Sequence, residues 1–173
     1  HRWFTLIAKQ SVPTVLDAGA LSLAGRLQQP TVITPHAGEL SRLLKDHGVI
    51  ASSELIEANP LEWAAKSSEL LGVTVLLKGS TTVVAQGEYF IKLPVATPWL
   101  ATAGSGDVLA GIIGALVATN YIEILNDQRK LAEIAATGAW IHNAAAKSAS
   151  RGGPISASTL IDAIPLAIAD LLK

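Results

Sequence analysis

The 173-residue chain contains no cysteine and no methionine, and aromatic residues make up only 5% of it. Without cysteine there is neither a disulfide framework nor a thiolate zinc site, and the composition fits a reducing compartment such as the cytoplasm. Charge is also sparse. Charged residues are 16% of the chain, both signs are scattered, and the net charge is −1, which excludes the basic footprint of a nucleic-acid binder. Long apolar runs are missing too. Half the residues are hydrophobic and the mean hydropathy is +0.41, yet the runs are too short and interrupted for a membrane span. The opening His1-Arg2-Trp3-Phe4-Thr5 has no apolar core or cleavage-like site, so no signal peptide is expected. There is no linker-like stretch and no internal repeat, and the length suits a single domain over residues 1–173.

What is present suits an α/β protein whose strands are covered on both faces. Short apolar and β-branched runs read as strands at 13–17, 31–35 and 73–78, followed by a hairpin of 81–86 and 88–93 joined at Gln86-Gly87. Between them lie helix-compatible stretches: 18–29, then 37–46 with Gly48 as a stop. A third begins at Ser52 or Ser53, and a longer one runs from Asn59-Pro60 through Leu71. The second half reads as helices at 104–119, from Asp127 to 150, and from Ser156 to 172 with Pro165 as a kink. Residues 1–10 read as the tail of a helix already under way, and Asp17 as either a substrate contact or a cap for the helix after it. Alternation of strand and helix implies parallel βαβ units, whose ligands sit beyond the carboxyl ends of the strands.

Chemistry-bearing residues gather at those ends. Ala103-Gly104-Ser105-Gly106-Asp107 is a glycine turn opening an apolar helix. Its backbone amides can converge on an anion, assisted by the helix dipole. Asp107 in the first turn can take a proton from an attacking hydroxyl, or simply match the dipole. Thr34-Pro35-His36-Ala37-Gly38-Glu39 puts a histidine and a glutamate on one face at a strand-to-helix turn. They either face a crevice, where Glu39 can hold a phosphate-bound magnesium, or cap the helix. Lys78-Gly79-Ser80-Thr81-Thr82 follows a buried strand. Lys78 can reach a phosphate and the hydroxyls a phosphate or ribose, although the spacing is not that of a P-loop. His47 and His142 show no zinc spacing to His36. His142, in an alanine-rich stretch, reads as a packing residue.

Taken in order, the segments around Asp17, His36 to Glu39, Lys78 to Thr82 and Gly104 to Gly111 resemble the ADP/ATP-dependent NAD(P)H-hydrate dehydratases, the YjeF carboxy-terminal domain family. Gly153 to Pro165 is similar to that family's last helix. The resemblance implies a ribokinase-like layered α/β fold with a mainly parallel sheet plus a β-hairpin, and a family portion amino-terminal to these residues. It implies repair of hydrated NADH or NADPH by phosphoryl transfer from ADP or ATP, with magnesium. Lys78, Gly79, Ser80, Thr81, Thr82, Gly104, Ser105 and Gly106 would bind the nucleotide. His36, Asp17 and Asp107 would contact the hydrated substrate, Asp107 would be the base, and Glu39 would lie near the magnesium. A homo-oligomer without nucleic-acid or membrane partners is expected. Gly19, where many relatives have a second acid, and His142-Asn143-Ala144, in place of a more glycine-rich pattern, depart from the family. The alternatives are a sugar or vitamin kinase of the same superfamily and an inactive nucleotide-binding fragment.

Overall fold

The computed structural model describes Leu6 and residues 11–173; the helix tail expected at 1–10 otherwise lies outside the described residues. Five strands form one sheet in the order β1-β2-β3-β4-β5. They are β1 (Thr14–Leu16), β2 (Thr31–Ile33), β3 (Thr74–Leu77), β4 (Val83–Gln86) and β5 (Tyr89–Lys92). The first three are parallel, with Thr14 opposite Thr31 and Val32 opposite Thr74. β4 and β5 run antiparallel, closed by a tight turn in which Gly87 has φ +57°. The sheet is therefore parallel with an antiparallel hairpin at one side, as the strand pattern implied.

Strands of three or four residues have little stability of their own. Burial holds them. Successive strand side chains face opposite sides, and both sides are covered. Leu16, Ile33, Val75, Leu77, Val83 and Ala85 pack under α1 (Ala37–Asp46), α2 (Ser53–Ala58) and α3 (Pro60–Leu71). Val32, Leu76 and Val84 pack against α4 (Ser105–Thr119), α5 (Tyr121–Asn126) and α6 (Arg129–Ser150). Helix α7 (Ala157–Leu171) forms an outer layer on α4 and α6 through Val108, Ala145, Ala146, Leu160 and Ala163. A fully buried Val, Leu or Ile contributes roughly 1.5–3 kcal/mol, so this double cover outweighs any deficit of local propensity.

Three local readings change. The stretch 18–29 is not a helix: only a 3-10 segment, Ala18–Leu23, forms. Ala18 and Gly25 both take positive φ, and Pro30 follows, so the chain turns instead of continuing. Asp17 makes no cap hydrogen bond there. Second, α5 is an additional helix, set off at Asn120. Third, the last helix, α7, starts at Ala157 behind a capping box between Ser156 and Thr159, with Pro165 inside it. Asp127 does accept from the Arg129 amide at 3.0 Å, in its expected capping role.

The close approach of α4 and α6 rests on Gly138. A Cβ there would lie 2.7 Å from Cγ1 of the fully buried Ile113. Gly138→Val adds branched volume where the partner cannot retreat, which exceeds the gain in helix propensity of under about 1 kcal/mol. Urea unfolding should show a loss of about 2 kcal/mol, whereas an unchanged midpoint would mean that α4 and α6 are not in this contact.

Candidate active site

The parallel strands end side by side, and their next residues form a row. Thr34 donates its amide to the Leu16 carbonyl, Lys78 donates its own to Pro35, and His36 bridges Lys78 in parallel register. This brings Asp17 after β1, His36 and Glu39 at the start of α1, and Lys78 after β3 to one place. Lys78 Nζ lies 3.0 Å from Asp17 Oδ1 and 3.7 Å from Glu39 Oε2. The same Asp17 oxygen accepts from the Thr34 hydroxyl at 2.8 Å. Asp17 is thus an ion-pair partner, and that replaces its expected role as a helix cap.

His36 and Glu39 form the helix cap that was one of the two readings left open by the sequence. The His36 Nδ1 accepts from the amides of Gly38 and Glu39, and Glu39 Oε2 accepts from the His36 amide at 2.9 Å. This is a capping box built on a histidine. Because Nδ1 accepts, a neutral ring carries its proton on Nε2, which lies 3.5 Å from Glu39 Oε2. The His36 side chain remains half exposed, while Glu39 also faces Lys78.

The glycine turn closes the group from above. Gly104 caps α4 with φ +83°, a conformation that favours glycine. A Cβ on Gly106 would lie 3.4 Å from Lys78 Nζ and 3.6 Å from Asp17 Oδ2. The helix N-terminus, its free amides and an ammonium therefore meet at Gly106, an arrangement suited to a phosphate. Asp107, one residue on, is exposed, and its side chain has no hydrogen-bond or ion-pair partner among the described residues. A cavity of about 470 Å³ runs from Lys78 and Gly106 past Gly79, Ser80 and Thr82. A second, of about 550 Å³, opens on His36, Thr81 and Lys92, with residues 78–80 on the wall of both. Asp17, Glu39, Gly104 and Asp107 line neither cavity. No group of three or more His, Asp or Glu among the described residues is placed to hold a metal.

Sequence reasoning did not connect His142 to this site. It is buried on α6, its Nε2 lies 2.9 Å from the Ser105 carbonyl, and it lines the Gly106 cavity. Burial lowers its pKa from the ordinary value; the hydrogen bond to Ser105 opposes this, and the nearby Lys78 adds to the lowering. The sequence signals were a single polar ring in an alanine-rich helix and its place at the start of His142-Asn143-Ala144, where the resembled family has a more glycine-rich pattern.

A family model described as NAD(P)H-hydrate dehydratase matches residues 2–166. A bifunctional NAD(P)H-hydrate repair enzyme of Corynebacterium glutamicum is 37% identical over 187 residues, covering 91% of this chain and 32% of its own length. An ADP-dependent (S)-NAD(P)H-hydrate dehydratase of Neisseria meningitidis is 35% identical over 158 residues, covering 86% of this chain and 49% of its own length. Among solved structures, the Bacillus subtilis ADP/ATP-dependent NAD(P)H-hydrate dehydratase, co-crystallised with ATP/Mg2+ and soaked with CoA, superposes with a TM-score of 0.79. It is 24% identical, and the match covers 96% of this chain and 59% of that one. The chain thus spans about a third to a half of the length of these curated relatives.

The buried His142 has a pH consequence. With its folded pKa lowered, the unfolded chain binds a proton that the folded chain does not, once the pH falls below about 6.5. Its contribution is thus fully present above that pH and is lost as acid is added. Thermal denaturation at pH 5.5 should show a smaller drop from the pH 7.5 midpoint in His142→Gln than in the wild type; equal drops would mean that His142 titrates freely in the folded state.

Proposed function

The chain belongs to the NAD(P)H-hydrate dehydratase family and has the ribokinase-like fold, and from that premise we propose that it repairs hydrated NADH and NADPH, dehydrating them at the expense of ADP or ATP. The observation that carries this reading is the placement of Lys78 against the Gly106 backbone, with the unpaired Asp107 one residue further along. A ring hydroxyl is a poor leaving group. Moving the terminal phosphoryl group of a nucleotide onto its oxygen turns it into a phosphate, which can depart. In this reading Asp107 takes the hydroxyl proton as the oxygen attacks. The Gly106 amide and Lys78 hold the charged oxygens of the group in transfer. The carbon–oxygen bond then breaks, phosphate leaves with the bonding pair, and the neighbouring ring carbon gives up a proton to restore the dihydronicotinamide.

The two cavities divide the substrates. The nucleotide takes the one lined by Lys78, Gly79, Ser80, Thr82, Ser105 and Gly106, with Thr81 on the other side of the same loop and Gly104 shaping the turn. His36 lines the cavity left to the hydrated nicotinamide, and Asp17, which lines neither cavity, would reach that substrate from beside Lys78. The Ser105 hydroxyl is committed to the Leu100 carbonyl at 2.7 Å and its amide to the Thr102 carbonyl at 3.3 Å, so in this reading the neighbouring Gly106 amide is the donor that meets the phosphate. Magnesium fits the oxygen donors at hand: Glu39, with Asp17, provides carboxylates beside the phosphate cradle. The ion supplies neutralisation of phosphate charge. The names of the Neisseria relative and the Bacillus structure, with ADP in the first and ATP/Mg2+ in the second, support the choice of co-substrate.

The test is recovery of dihydronicotinamide absorbance from hydrated NADH with ADP and magnesium. A sugar or vitamin kinase would instead accumulate a phosphorylated alcohol and recover no absorbance. Asp107→Asn should lower turnover by at least about 100-fold and leave nucleotide affinity within a few-fold by calorimetry. Turnover near wild type in that variant would remove Asp107 from the role of base.

A further inference from the structure

The dehydratase reading uses the Gly106 amide but leaves open what aims it. The glycines at 104 and 106 give the turn its shape and also its freedom. Two contacts restrain Ser105 from its own side of the turn: its amide donates to the Thr102 carbonyl at 3.3 Å, and its hydroxyl donates to Leu100. Neither acts on the peptide unit that carries the Gly106 N–H. That unit is the Ser105 carbonyl joined to the Gly106 nitrogen in the first turn of α4, and a side chain from another helix reaches it as well. His142 Nε2 lies 2.9 Å from the Ser105 oxygen.

We propose that His142 is a positioning residue of the phosphoryl-transfer site, pinning the Ser105–Gly106 peptide through its carbonyl so that the Gly106 N–H keeps one direction toward the anion. The proposal rests on the reading in which Gly106 holds the phosphate. The geometry follows from the peptide plane. The unit is flat and trans, so its C=O and N–H point opposite ways and cannot turn separately. A carbonyl oxygen only accepts, so Nε2 carries the proton and donates it. A donor at one end of an amide also polarises it, which strengthens the N–H at the other end. The anchor itself is rigid. His142 is 6% exposed, on the buried side of α6 with Ala139, Ala145 and Ala146. Burial favours the neutral ring, so the site receives a fixed hydrogen bond rather than a mobile charge. The same close packing of α4 on α6 that Gly138 permits brings the ring within reach of Ser105.

The contrasting interpretation is a buried histidine that merely satisfies its own polarity between two helices. Two variants separate the two. His142→Gln keeps an amide donor at a similar reach, whereas His142→Leu keeps the bulk and loses the donor. Three quantities are read in each: kcat and KM for ADP in hydrate dehydration, the unfolding midpoint, and the change of the Gly106 amide resonance on adding ADP. The Leu variant should lose about tenfold in kcat, less than the hundredfold typical of deleting a transition-state donor outright, and its Gly106 amide should respond more weakly to ADP. The Gln variant should stay within about threefold of wild type. Wild-type kcat and an unchanged Gly106 response in a folded His142→Leu would overturn the proposal. So would a Gln variant as slow as the Leu variant, because packing would then be what matters. If His142→Leu does not fold, the Gln variant decides by the same kcat and Gly106 response. If the wild type shows no dehydration, the reaction assigned above fails, and the Gly106 response to ADP alone still decides whether His142 aims that amide.

Discussion

The site depends on one ammonium shared by two carboxylates. Lys78 comes from the end of β3, Asp17 from the end of β1 and Glu39 from the first turn of α1. Three separate stretches of chain therefore converge on a charge that none of them places alone. The register of the parallel strands does the convergence: with Val32 opposite Thr74 and His36 bridging Lys78, the residues after each strand have nowhere else to go. A slip of one residue in β3 would turn Lys78 to the other face of the sheet. That register is itself set by burial, since Val75 and Leu77 belong to one core and Leu76 to the other.

The other half of the site reaches the sheet through helix packing. The glycine turn opens α4, and α4 is held against α6 by small residues and the bare backbone at Gly138. Without that approach the Ser105 carbonyl would not meet His142, and the Gly106 backbone would not lie over Lys78. The proposed phosphate cradle is thus assembled from two constraints of different kind, strand register on one side and interhelical distance on the other.

The sequence revealed the parts that depend on local chemistry. Glycines at 104 and 106 before an acid, a Thr-Pro-His start to a helix, and a lysine at the end of an apolar strand each leave a legible mark. The hairpin at Gln86-Gly87 and the helix boundaries at Asp46, Leu71 and Thr119 were legible for the same reason. What was hidden depends on partners far away in the chain. Asp17 looks like a cap because capping is the commonest use of an aspartate before a helix; its partners, Thr34 and Lys78, are 17 and 61 residues away. His142 looks like packing because its bond to Ser105 crosses 37 residues. The helix expected over 18–29 failed for a backbone reason, positive φ at Ala18 and Gly25, that composition alone does not fix.

Asp17 and Asp107 lie close to the same glycine, Asp17 through its Oδ2 and Asp107 as the next residue in sequence, yet they differ in the quantity that matters for proton transfer. Asp17 spends one oxygen on both a hydroxyl and an ammonium. A group so engaged is an orienting charge: accepting a proton would cost it the Lys78 contact. Asp107 has no such contact to lose. It sits at the positive end of α4 with its lone pairs available. If the chain transfers a phosphoryl group as proposed, the division of labour between the two carboxylates is already set by their hydrogen-bond partners, with Asp17 holding the cation that meets the phosphate and Asp107 free to receive the proton.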